Sequence, residues 1–204
     1  MSSLLVADDL PVARAILGVL ARLSVVVLLG AHGLVSLSRD AVAAPPGGPF
    51  TLQDGDGRSV SDSDFRGKFM LVYFGYTFCP DVCPTTLSEV VGALDRLGTK
   101  ADHVQMIFIT VDPKRDTPAV MKQYAAAFSP RLIGLTGSQE QMDKVANAYR
   151  VYHVEHRIGP GPDDYSIDHS SVLYLMGPDG KFMVGLRGDL TSAEIVDELS
   201  ELMP

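Results

Sequence analysis

Phe69-Met70-Leu71-Val72-Tyr73-Phe74-Gly75-Tyr76-Thr77-Phe78-Cys79-Pro80-Asp81-Val82-Cys83-Pro84 is the stretch on which the reading of this chain turns. Residues 69–75 form an unbroken apolar run ending in glycine, the pattern of a strand buried on both faces. Cys79 and Cys83 follow at once, and they are the only two cysteines among 204 residues. Two thiols at this spacing either oxidise to a disulfide or clamp a soft metal ion between them. Pro84 lacks an N–H and suits the first position of a helix, with Cys83 at or beside its cap. A helix starting instead at Pro80 places both sulfurs in the first turn. Either way the thiols sit near a helix N-terminus, whose partial positive charge favours thiolate, the form that acts as nucleophile and as metal ligand.

Working outward, Asp54-Gly55-Asp56-Gly57 is a tight-turn signal between two short strands, Phe50-Thr51-Leu52 and Ser59-Val60. After the cysteines, Leu87, Val90, Val91, Leu94 and Leu97 recur at helical spacing and Gly98 ends the helix. Residues 104–111 are a second buried strand, broken by Asp112-Pro113-Lys114-Arg115-Asp116. Asp116 or Thr117 caps the next helix, which runs to about Phe128 with Pro118 in its first turn. Residues 132–135 are a short strand, and Ser138 with Gln141 forms a capping box for a helix to about Tyr149. Residues 151–154 are extended, residues 157–168 read as a Gly/Pro/Asp-rich loop, and residues 170–176 and 181–187 pair as a hairpin about Pro178-Asp179-Gly180. Thr191, with Glu194, caps a closing helix. This order predicts an α/β domain with a mixed central sheet and helices on both faces, the order of a thioredoxin-like fold. There the reactive cysteines lie between the first core strand and its helix.

The formal net charge is -8, which argues against a nucleic-acid partner, since a phosphate backbone calls for a basic footprint. Residues 1–14 are polar and mixed, and we read them as a cytoplasmic N-terminus. Residues 15–37 are almost wholly apolar, interrupted by Arg22 and His32. Taken as one helix they span roughly 34 Å, enough to cross a bilayer with Arg22 inside it. Counted from Leu23, the apolar core is roughly 22 Å, suited to a signal-peptide segment, with Ala41-Val42-Ala43 as a cleavage site. Residues 38–49 form a Pro/Gly-rich linker, and residues 50–204 form the domain. Both readings export the domain with positive charge left inside, Arg14 in the first and Arg14 with Arg22 in the second. In an oxidising compartment neighbouring thiols tend to close into a disulfide, so a working dithiol there requires a reductant.

Three intervening residues, where thioredoxin-type oxidoreductases usually have two, permit a disulfide and also leave room for an ion. Two thiolates select a soft metal, with Cu(I) the best fit, and a closed structural zinc site would want four ligands. A third ligand is then needed, and five histidines are available. His32 lies in the leader, His103 reads as a surface residue at a strand start, and His153 and His156 read as solvated loop residues. His169 comes just before the Ser170–Met176 run, where a thioredoxin-like fold faces its cysteine site and thioredoxins place a cis-proline. Spacing alone leaves it open whether His169 is a ligand.

The stretches Gly75–Thr85, Val111-Asp112-Pro113-Lys114-Arg115-Asp116-Thr117-Pro118 and Asp164-Tyr165-Ser166-Ile167-Asp168-His169-Ser170-Ser171 closely resemble the Sco/SenC family, in the right order over about residues 50–204. The resemblance implies a membrane-associated, thioredoxin-like copper protein on the exported side, in the bacterial periplasm or the mitochondrial intermembrane space. It implies copper bound through Cys79, Cys83 and His169. It also implies a role in assembling the Cu-A centre of cytochrome c oxidase subunit II, with other copper chaperones and thiol reductants as further partners. Asp112 resembles a family aspartate near the site, but reads equally as a strand-end cap or a partner for Arg115. Asp81 reads equally as a helix-terminus charge. Two alternatives stand beside the chaperone: a thiol-disulfide reductase that keeps the Cu-A cysteines reduced through Cys79 and Cys83, and a redox sensor or peroxidase on the same scaffold.

Overall fold

The computed structural model describes residues 44–203. The expected leader, with its apolar segment at 15–37 and cleavage site at 41–43, lies outside them. Among the described residues no helix is long and apolar enough to cross a membrane.

Among the described residues nine strands and four α-helices follow one another: β1 (Thr51–Gln53), β2 (Ser59–Ser61), β3 (Phe69–Gly75), α1 (Val82–Leu97), β4 (Val104–Thr110), α2 (Pro118–Phe128), β5 (Leu132–Leu135), α3 (Gln139–Tyr149), β6 (His153–Arg157), β7 (Tyr165–His169), β8 (Val172–Met176), β9 (Phe182–Arg187) and α4 (Ser192–Leu202). The central sheet has the order β5-β4-β3-β8-β9. Strands β3, β4 and β5 are parallel, while β8 runs antiparallel to β3 and β9 antiparallel to β8. This is the mixed, thioredoxin-like sheet that the element order predicts.

Strand β3 lies at the centre and divides two cores by simple alternation. Met70, Val72 and Phe74 enter one core, with Ile107, Ile109 and the α3 residues Met142, Val145 and Tyr149. Leu71 and Tyr73 enter the other, with Leu87, Val90 and Leu94 of α1, Met121 of α2, and Ile195 and Leu199 of α4. Phe74 anchors its side through ring contacts to Tyr149 at 5.2 Å and Tyr174 at 5.8 Å.

The caps form as the sequence predicts. Thr117 caps α2 with Pro118 in the first turn, and capping boxes at Ser138–Gln141 and Thr191–Glu194 open α3 and α4. Gly98, at φ 59°, ends α1 in a conformation that a side chain would resist.

Two expectations are corrected. Helix α1 begins at Val82 with Asp81 as its cap residue, so neither Pro80 nor Pro84 opens it. Pro84 is the third helical residue, where the missing N–H is still one of the unpaired donors of the first turn. Second, residues 157–168 are not one loop. Strands β6 and β7 pair antiparallel from His153↔His169 to Arg157↔Tyr165, leaving only 158–164 as the turn. The Gly, Pro and Asp residues are concentrated in that turn, and Tyr165 and Ile167 alternate inward to join the core. His169 therefore ends a strand that shares its inward face with Tyr165 and Ile167.

Gly75 ends β3 directly beneath the cysteines. A Cβ there would stand 2.5 Å from Cys83 Sγ and 2.9 Å from Phe108 Cε2. We predict that Gly75→Ala lowers stability by about 1–3 kcal/mol, the usual cost of overfilling a packed core. Urea denaturation followed by far-UV circular dichroism measures it, and an unchanged midpoint would show that Cys83 can give way freely.

Candidate metal centre

Three side chains from two distant parts of the chain meet above the end of β3. Cys83 Sγ lies 3.2 Å from His169 Nε2, and the ligand atoms of Cys79, Cys83 and His169 all lie within 4.8 Å of one another. Cys83 is fully buried, on the first turn of α1, while Cys79 is partly exposed on the loop before it, and both are free thiols.

The cysteine loop is pinned from below. Buried Asp116 accepts from the Thr77 amide at 3.0 Å, the Thr77 hydroxyl at 2.5 Å and the Thr110 hydroxyl at 2.6 Å. Burial raises the pKa of its carboxyl, against the opposing effect of these donors. At the helix start, the Asp81 carboxylate makes no capping bond. Instead the Cys83 amide donates to Cys79 Sγ at 3.4 Å, so a sulfur takes a role usually played by an oxygen.

The histidine is fixed equally firmly. Its Nδ1 donates to the Ser170 carbonyl at 3.1 Å, because a carbonyl can only accept. In the neutral ring this leaves the lone pair on Nε2, the nitrogen that faces the sulfurs. Tyr76 and Tyr73 brace the ring edge-on at 5.9 and 6.2 Å. A cavity of about 360 Å³, lined by Tyr76, Cys79, Pro80, Val82, Ile167 and His169 among others, opens the cluster to solvent.

The two sulfurs differ in their affinity for a proton. A hydrogen bond from the Cys83 thiol, and others from the Cys83 and Asp81 amides, hold the Cys79 thiol well below the usual range against the cost of burial. Donation to Cys79 and deep burial push the Cys83 thiol up. One proton is in effect shared between them and rests on Cys83.

The other candidates stand apart from this cluster. Asp112 is buried but spent elsewhere: it accepts from Arg115 Nε at 2.5 Å and the Tyr165 hydroxyl at 2.8 Å. Asp81 is exposed, and its carboxylate lies 3.5 Å from the Thr85 hydroxyl. His153 sits opposite His169 in the hairpin register, and exposed His156 pairs with Asp168 at 3.0 Å. Sequence reading did not single out the supports Thr77, Asp116 and Arg115. The available signal is the four charged residues within Asp112–Asp116 beside a strand end, which the sequence reading uses as a strand breaker and a helix cap.

The family model described as SCO1/SenC matches residues 39–204. The chain belongs to the SCO1/SenC family. One family relative is the human "Protein SCO1 homolog, mitochondrial", 43% identical over 143 residues, which cover 67% of this chain and 46% of the relative. The chain thus spans about half the length of that relative. Among solved family structures, Bradyrhizobium japonicum ScoI with copper bound is 44% identical, with a TM-score of 0.69, covering 76% of this chain and 98% of its own. Yeast Sco1 with copper bound is 38% identical, with a TM-score of 0.71, covering 77% and 87%. Two thiolates with one imidazole form a donor set suited to copper, soft enough for Cu(I) and with a nitrogen for Cu(II).

The proton placement makes a pH prediction. Alkylation by iodoacetamide should strike Cys79 first. Because its pKa is depressed, the thiolate persists as pH falls from 8 to 6, and the rate should stay nearly flat. An ordinary thiol, with a pKa of about 8.5, loses close to tenfold per pH unit in that range. Mass spectrometry of the reduced chain locates the adduct, and a rate that falls tenfold per unit would contradict the assignment.

Proposed function

We propose that this chain is a copper chaperone. It binds one copper ion through Cys79 Sγ, Cys83 Sγ and His169 Nε2, and helps to assemble the Cu-A centre in subunit II of cytochrome c oxidase. The observation that carries this reading is the convergence of those three ligand atoms within 4.8 Å, in a family with members solved with copper bound.

The arrangement suits cargo better than permanent retention. Three protein ligands leave a coordination position open toward the cavity. An incoming ligand of the acceptor reaches the ion beside partly exposed Cys79, and exchange proceeds with Cys79 as the first to leave. Buried Cys83 and braced His169 hold the ion until then. A Cys79–Cys83 disulfide removes both thiolates, so oxidation blocks loading, and thiol reductants restore it. In this reading the domain works on the exported side of a membrane, in the periplasm or the intermembrane space, with its N-terminal segment as anchor or cleaved leader.

A second activity is favoured by one observation, the depressed pKa of Cys79 beside a buried partner thiol. The Cys79 thiolate attacks a disulfide of the Cu-A apo-site, forming a mixed disulfide and releasing one thiolate. Cys83, on losing its proton, attacks the Cys79 sulfur, closing Cys79–Cys83 and releasing the second. Two electrons pass to the partner, and an external thiol reductant regenerates the dithiol.

His169 separates the two activities. Anaerobic titration of the reduced chain should give tight one-to-one binding of Cu(I) and Cu(II), with a sulfur-to-Cu(II) charge-transfer band. His169→Ala should abolish the band and weaken Cu(II) binding by at least about 100-fold, beyond the loss typical of an outer-shell partner. Unchanged copper binding in that variant, together with fast disulfide exchange, would replace the chaperone reading with the reductase.

A further inference from the structure

We propose that Arg115 is a positioning residue for the metal centre: it clasps the β6–β7 hairpin to the cysteine loop and so fixes the stand-off between His169 and the two sulfurs. The proposal rests on the copper reading for the identity of the ligands, and on geometry alone for the clasp.

Arg115 is not part of the Cys-Cys-His cluster, yet its side chain is only 9% exposed, unusual for an arginine on a connecting loop. On the hairpin side, Nη1 donates to the carbonyls of Asp163 at 3.1 Å and Tyr165 at 2.9 Å, and the guanidinium carbon lies 3.6 Å from the Tyr165 ring centroid. On the cysteine side, the same carbon lies 4.8 Å from the Phe78 ring and 5.6 Å from the Tyr76 ring. Asp112 closes the circuit by accepting from Arg115 Nε and from the Tyr165 hydroxyl. Nη2 has no hydrogen-bond partner among the described residues, and the surrounding ring faces are what this cation has in its place.

Both arms end one short step from a ligand. Phe78 directly precedes Cys79 and is 60% exposed, so core burial does not hold it in place. Tyr165 shares the inward face of β7 with His169, four residues away on a paired strand, so a displacement of Tyr165 is carried to the imidazole. The Ile167 amide, between them, donates to the Tyr76 hydroxyl at 3.2 Å and is a second thread across the same gap. A planar fork that stacks and donates at once suits this place, and a lysine, a point charge on a flexible stem, does not reproduce it. Neighbouring Lys114 reaches Asp163 at 2.8 Å, but both groups are exposed and the pair is a weak strap.

The full-length chain tests this in two arms. In the reduced, metal-free protein, Arg115→Met should speed amide hydrogen exchange across 153–169, the Ile167 amide included, while β3 and β4 keep their protection. In the copper arm, Cu(II) affinity should fall by about 10–100-fold with weakened nitrogen hyperfine coupling in electron paramagnetic resonance, while Cu(I) binding, dominated by the thiolates, changes less. Arg115→Lys should behave like Arg115→Met. If Arg115→Met fails to fold, Phe78→Leu and Tyr165→Leu decide, each removing the ring that one arm stacks on and each expected to show the same local exchange signature. Wild-type exchange and spectrum in a folded variant would overturn the clasp, as would a uniform loss of protection through the whole sheet. Failure of the unaltered chain to bind copper would overturn the copper reading, and the exchange arm would still decide the clasp.

Discussion

The contact between Cys83 Sγ and His169 Nε2, 3.2 Å in space and 86 residues apart in sequence, is the constraint on which the rest of the site depends. It exists because β8 returns antiparallel beside β3, so that the segment entering β8 passes over the end at which β3 releases the cysteine loop. Gly75 leaves the space for the buried sulfur to sit there. A fully buried thiol on one side and an imidazole braced by two tyrosines on the other give a rigid half-site. Cys79 is the adjustable member.

That asymmetry has an electrostatic counterpart. Two thiols this close cannot both ionise cheaply, since the second negative charge would be buried beside the first. The proton settles on Cys83, which has least access to water, and the charge settles on Cys79, where the helix amide of Cys83 and the solvent both stabilise it. A cation arriving at the site changes the balance, because it lets both sulfurs ionise at once. Metal loading therefore releases a proton from a buried group, and this couples occupancy to pH even though the exposed sulfur is already ionised. Disulfide exchange draws on the same pair, with Cys79 suited to the first attack and Cys83 to the attack that closes the bond.

The fold was legible to an unusual degree because its signals are local. Continuous apolar runs marked the buried strands, and Ser138–Gln141 and Thr191–Glu194 are capping boxes that need no tertiary information. The errors fell where local chemistry and tertiary pairing disagree. Residues 157–168 carry turn-type residues, and only their pairing to β6 and the burial of Tyr165 and Ile167 make a strand of the last part. At the site, the cysteines stood out by their spacing, while the place of His169 before an apolar strand left its role open and only the family resemblance named it. Asp116 and Arg115 were not, because a buried carboxylate and a stacked guanidinium look in sequence like any loop charge. Their roles are defined by partners 39 and 50 residues away.

The supports explain why one short connection, Asp112–Asp116, matters to a centre it does not touch. Asp116 holds the cysteine loop through Thr77, and Arg115 and Asp112 hold the histidine strand through Tyr165. Both ligand-bearing segments are thus tied to one corner at the end of β4, in addition to their direct contacts with each other. A site assembled in this way can lose and regain the ion without collapsing, because the positions of Cys83 and His169 are set by protein contacts and not by the metal. On the chaperone reading proposed above, that is a useful division: the scaffold would keep the geometry, and the ion would add only its own coordination energy, which an acceptor with better ligands could exceed.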